Sequence, residues 1–310
     1  MKPTWTLATL LALGGTALAD VGEKPGVDAA ETITVDGGES YRGVAQDYLV
    51  MPSGGELGAQ MRFITADSMD GGDALKFTDL ALFGLSARYS VFEKLELSAQ
   101  VDLLPKQPSE SSEKPWQSVG GGLRSPLGKH VAIALAGAGG HLLGHEGMWT
   151  REAATLEWKK PIHEFLAFDV KAGIDGLGLQ APNTRDSAFL TEVGVSTSAL
   201  FRLDNKWGAW GGIGYAVPVQ HSGIDPTTQL AIDPQPRLDF HAGTVLSLVK
   251  EWDLYADFAV IDRGDANPAT RLPILDGGFD QKQIVFGVIR HIEGHKHEAA
   301  SDDSLQLSQR

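Results

Sequence analysis

The chain has 310 residues, no cysteine and a formal net charge of −14. The missing thiols exclude disulfide frameworks, thiolate metal sites and cysteine nucleophiles together, and the acidic balance argues against nucleic acid, whose phosphates need a clustered basic surface. No later segment offers the roughly eighteen uninterrupted apolar residues of a membrane-spanning helix, so a membrane form of this protein has to be a closed sheet.

The first twenty residues read MKPTWTLATLLALGGTALAD, with Lys2 as the only early charge, an apolar run over 7–13 and Ala17, Leu18 and Ala19 as a small-x-small cleavage site. The pattern predicts a secretory signal peptide over 1–19; the run is too short, and too broken at Gly14 and Gly15, for an anchor. Residues 20–55 are polar, rich in Gly, Asp and Glu, and weakly patterned. They are expected to form a periplasmic arm, or else to fold into a lumen as a plug.

From residue 56 onward the apolar pattern has period two. A first strand over 56–64 sends Leu57, Ala59, Met61 and Phe63 to one face and Glu56, Gln60 and Arg62 to the other. The stretch 75–104 holds the second and third strands around a tight turn at Val91 and Phe92. In its second arm Leu95, Leu97, Ala99, Val101 and Leu103 alternate with Lys94, Glu96, Ser98, Gln100 and Asp102. Such alternation lasts about ten residues, the length with which a tilted strand crosses bilayer hydrocarbon. Further strands are expected over 116–124, 130–143, 151–159, 165–177, 189–203, 207–217, 237–249, 252–262 and 281–291. The seventh repeats the pattern, with Leu166, Phe168, Val170, Ala172 and Ile174 against Asp169, Lys171 and Asp175. In the tenth, Arg237, Asp239 and His241 share the inward parity, and in the eleventh Asp253, Tyr255 and Asp257 do.

Links after even-numbered strands are brief and the others long, as outer-membrane barrels require. This places both termini in the periplasm. Tyr89, Trp158, Phe168, Phe201, Trp207 and Trp252 fall at outward parity beside the short turns, an interfacial aromatic girdle. Asp79 on the outward parity of strand two, with Leu80, Leu82, Leu190 and Leu200 inward, does not fit; a bulge in strand two is expected. The fold read from these features is all-β: a transmembrane antiparallel up-and-down barrel of about twelve strands over 56–292, followed by a polar tail over 293–310.

The stretches GLSARYSVFEKLELSAQVDL (84–103) and SGGELGAQMRF (53–63) resemble bacterial outer-membrane β-barrels. In particular they are similar to the transporter-like barrels associated with meta-pathway phenol degradation, in which a GLRYGL, short turn, LELGL unit recurs. The resemblance implies a passive channel for small, apolar or aromatic molecules and supplies no residue-level site. One departure is the C-terminus: such barrels usually finish on an aromatic residue, whereas FGVIRHI (286–292) is followed by a polar tail to Arg310.

No nucleophile elbow, phosphate loop, dinucleotide fingerprint or HExxH motif occurs, so no enzyme activity, cofactor or metal is expected. His291, His295 and His297 form the tightest histidine cluster, and solvated tail outweighs metal capture there. The candidate pore-lining residues are Arg62, Lys94, Glu96, Asp102, Asp169, Lys171, Asp175, Arg237, Asp239, His241, Asp253 and Asp257. These charges either cross-link a filled interior or line a narrow water path; twelve strands lie between the filled eight and the open sixteen. Small inward residues in strands four and five favour the narrow path, and Asp67, Asp70 and Asp73 would make an acidic mouth. The expected partners are outer-membrane lipid and small solutes. The rival readings are a lipid-modifying enzyme, for which the outward parity offers only His141 near a rim, and a non-conducting structural or adhesive barrel.

Overall fold

The alternation closes on itself. The computed structural model of the chain describes residues 54–66, 75–91, 94–104, 116–142, 147–180, 187–204, 206–224, 231–249, 251–263 and 281–292. The signal peptide, the tail, the Asp67, Asp70 and Asp73 loop and all of the arm except Gly54 and Gly55 lie outside these residues. The described strands are β1 (Gly54–Ala66), β2 (Leu75–Ser90), β3 (Glu96–Leu103), β4 (Trp116–Gly128), β5 (Val131–His141) and β6 (Met148–His163). They continue as β7 (Leu166–Gln180), β8 (Ser187–Arg202), β9 (Trp207–Gly223), β10 (Arg237–Val249), β11 (Trp252–Asp262) and β12 (Gln281–Ile292). Each pairs antiparallel with its chain neighbours, and β1 pairs with β12 from Gly55↔Ile292 to Ala66↔Gln281, so the sheet is a closed barrel without an edge.

Several strands outrun the alternation that predicted them. β4 continues to Gly128 and β6 to His163, so their links shrink to Lys129 and His130 and to Glu164 and Phe165. β9 runs six residues beyond its expected end at 217, to Gly223. The physical reason is common to all three: near a rim the outer face leaves the hydrocarbon, the apolar signal fades, and backbone pairing alone continues the strand. Pro126 and Pro161 are tolerated because register shifts beside them open the ladder at the short turns. The irregularity expected in strand two is a register shift against β1 between Ile64 and Ala66.

The pleat divides the side chains as expected. Leu57, Leu85, Leu97, Leu156, Ile174, Val195, Ile213, Leu254 and Phe286 stand exposed on the outer wall, a continuous apolar band that suits lipid and not water. The girdle aromatics Tyr89, Trp158, Phe168, Phe201, Trp207 and Trp252 are all exposed on that wall, and Arg290 lies over the Trp252 ring, 5.7 Å from its centroid. On the inner face three aromatic rings each lie across a paired glycine: Trp149 over Gly140, Trp210 over Gly243 and Tyr255 over Gly287. A ring lies flat on the wall only where the facing residue has no Cβ.

Candidate functional site

The lumen is the candidate site, and its inward side chains are tied round the wall. Arg62 Nη2 donates to Asp102 Oδ2 at 3.1 Å, and Ser118 Oγ donates to the same oxygen at 2.7 Å. Lys171 Nζ lies 3.4 Å from Asp169 Oδ2, two residues along the same face of β7. Arg237 Nε donates to Asp239 Oδ2 at 3.0 Å. Asp253 meets His291 Nε2 at 2.8 Å, His241 Nε2 meets Ser198 Oγ at 3.0 Å, and Asp257 accepts from Trp210 Nε1 at 3.2 Å. Asp175 is forked by Arg151, whose Nε lies 2.9 and 2.7 Å from its two oxygens. Eleven of the twelve candidates are inside the barrel; Lys94 stands exposed in the β2–β3 turn, two residues before the chain re-enters the sheet.

The alternation had singled out Arg62, Lys171 and Arg237 but not Arg88, Arg124 or Arg151. Arg88, on the inward parity of β2, bonds Glu56 and lies 3.8 Å from Glu96. Arg124 lies 3.9 Å from Glu96 and bonds Glu157, which is wholly buried. Beside them His291 Nδ1 sits 3.1 Å from Glu56, so that Asp253, His291, Glu56, Arg88, Glu96, Arg124 and Glu157 make one belt near the short-turn end. His291 is therefore an inward residue of β12, while His295 and His297 lie outside the described residues; no group able to hold a metal occurs among the described residues. Inward parity carried through β2 and β6 would have found Arg88, Arg151, Glu157 and Lys159. Arg263, just past β11, had no such signal.

Exposure along the strands divides the lumen into three levels. On β3 the inward series runs Glu96 buried, Ser98 and Gln100 half-buried, Asp102 buried. β7 repeats it through Lys171, Gly173 and Asp175, and β11 through Tyr255, then Asp257 and Ala259, then Ile261. The same order holds on β1, β2, β4, β5, β6, β8, β9, β10 and β12. At the half-buried waist many residues are small, including Gly58, Ser86, Gly120, Gly122, Ala136, Ser196 and Gly212, with Arg88, Asp239 and Asp257 beside them. These residues keep part of their surface accessible, whereas the levels above and below do not.

The two ends close differently. At the short-turn end the ion belt adjoins an apolar patch of Ala167, Leu200, Trp210, Val245, Tyr255, Val285 and Ile289. At the long-loop end Leu142, Trp149, Leu177, Leu179, Ala188 and Leu190 form a second patch, and Ile232, from the connection between β9 and β10, inserts into it. The misfit inward leucines Leu190 and Leu200 thus belong one to each patch. Arg263 is 2% exposed and grips Glu192 through both nitrogens, Nη1 at 2.6 Å and Nη2 at 3.0 Å. Burial draws its guanidinium below the ordinary range, with the Glu192 charge acting against that shift.

No protein-family model matches the chain, and no curated protein sequence matches it. Solved structures do. The translocator domain of autotransporter NalP from Neisseria meningitidis is similar at 10% identity over 77% of this chain and 88% of that one, with a TM-score of 0.50. An outer membrane channel from Pseudomonas putida F1 is similar at 13% identity over 78% and 97%, TM-score 0.49, and the NanC porin at 8% over 75% and 98%, TM-score 0.47. At these identities the likeness concerns the fold alone, and that fold is the bacterial outer-membrane β-barrel.

Proposed function

We propose that the protein is a narrow passive channel for small solutes in a bacterial outer membrane, with both termini in the periplasm and no enzymatic role. The observation that carries this reading is the waist: a level of half-buried small and polar residues in all twelve strands, set between two closed ends. A barrel serving only as an anchor gains nothing from leaving its middle unfilled, because each unfilled space forfeits packing. The charged pairs support the same reading. Each pair named above runs along the wall between strands no more than three places apart in the ring, Arg263 to Glu192 being the widest.

The finer reading, small apolar or aromatic solutes, rests on the hairpin resemblance and is compatible with the inner patch around Trp210, Val245 and Tyr255. A non-conducting barrel is the second reading, favoured by the burial of both ends. Conductance of the mature chain in planar bilayers decides between them: small steady steps are expected, and Asp169→Asn with Asp175→Asn should shift their cation preference. Silence across all conditions would leave the non-conducting barrel.

A further inference from the structure

We propose that residues 231–236 form a strap that closes the long-loop mouth, and that Arg263 is its latch. The proposal rests on the channel reading and adds how that channel is shut. Along the strap Ala231 and Asp233 are exposed while Ile232 and Pro234 are buried, the alternation of an extended segment lying against a surface. Its first residue bridges Ile224, and the Ile232 N–H donates to the Gly223 carbonyl at 3.2 Å. The strap leaves the wall at β9, yet Ile232 belongs to the buried apolar cluster that the inward residues at the long-loop ends of β5, β6, β7 and β8 build. It therefore reaches inward over the opening instead of standing in solvent, where a connection between adjacent strands could run.

Among the described residues, Arg263 holds the far end of the strap. Arg263 Nη1 donates to the Gln235 carbonyl at 3.2 Å while the same guanidinium grips Glu192. One side chain from the end of β11 thus ties the strap backbone to a carboxylate on the inner wall of β8. Glu192 also has Arg237 Nη1 at 3.4 Å, so it keeps a counter-charge when Arg263 is replaced, and the latch can be cut without stranding a buried acid. The seat is apolar and the latch ionic, and each can be altered without the other.

The test uses the absence of cysteine from the chain. Ser196→Cys places one thiol at the waist, and its reaction with a small charged maleimide is timed on the full-length folded barrel in detergent micelles. Slow labelling is expected in the parent. Adding Ile232→Gly, or Arg263→Gln, should speed it about tenfold or more, since losing the burial of one isoleucine shifts an opening equilibrium by at least that factor. Heat-modifiable gel mobility reports that each variant is folded; if Arg263→Gln fails there, Ile232→Gly carries the test with the ion network intact. Fast labelling of the parent, or rates within about twofold of the parent in the folded variants, overturns the strap. The same variants in planar bilayers should give larger steps. Faster labelling with silent bilayers would keep the strap and remove the channel reading.

Discussion

The two ends of the lumen are lined by different physics. At the short-turn end seven side chains on strands form an ion belt, in which acidic and basic groups alternate. At the long-loop end an apolar patch is completed by one isoleucine on a segment outside the sheet. Removing one partner of a buried ion pair costs about 3–5 kcal/mol, whereas lifting one isoleucine out of contact costs about 1.5–3 kcal/mol. The belt has no small step by which to rearrange. The mouth has one, so the proposed strap lies at the end where movement costs less.

The belt can be broken most sharply at its most buried link. Arg124→Met leaves Glu157, fully buried, without its bonded cation and should lower stability by about 3–5 kcal/mol in urea unfolding of the folded barrel. Adding Glu157→Leu should recover most of that loss, because an apolar pair of similar volume is often neutral to stability. A loss below about 1 kcal/mol in the single variant would show that charge does not hold this end.

At the mouth, Leu190→Ala empties part of the apolar seat, where Leu190 is 1% exposed. It should cost about 2–4 kcal/mol, read from the same transitions. A smaller effect comes from the wall between the ends: a Cβ on Gly243 would meet the Trp210 ring and lie 2.9 Å from the Ala256 carbonyl oxygen. Gly243→Ala should therefore cost about 1–3 kcal/mol and perturb the Trp210 fluorescence. Lys94→Ala, in the exposed turn, should change neither unfolding nor conductance; a change in cation preference would return Lys94 to the path.

How far each end could be read in advance follows from where its residues sit. Glu96, Asp169, Asp175 and Asp253 lie on long alternating runs, and period two states which face each occupies without knowledge of any partner. Arg88, Arg151 and Glu157 lie on the same kind of run, but near rims or beside small residues where the apolar half of the pattern is weak. Leu190 and Leu200 looked like errors of register because an inward leucine makes sense only when other strands supply apolar neighbours. His291, the last residue of the twelfth expected strand, was not marked as a lumen residue, since nothing local marks Glu56 and Asp253 as its partners.

From the order of residues alone came the strand count, the lipid-facing side and the inward acids, because the pleat turns neighbouring side chains to opposite faces whatever the rest of the chain does. Only the closed barrel decided that Arg263 meets Glu192, 71 residues away, that Ile232 joins the apolar cluster of β5–β8, and that a half-buried waist lies between two buried levels. Those outcomes depend on register and on the path of the connections, which bring distant residues to one height in the wall and leave no mark in local spacing.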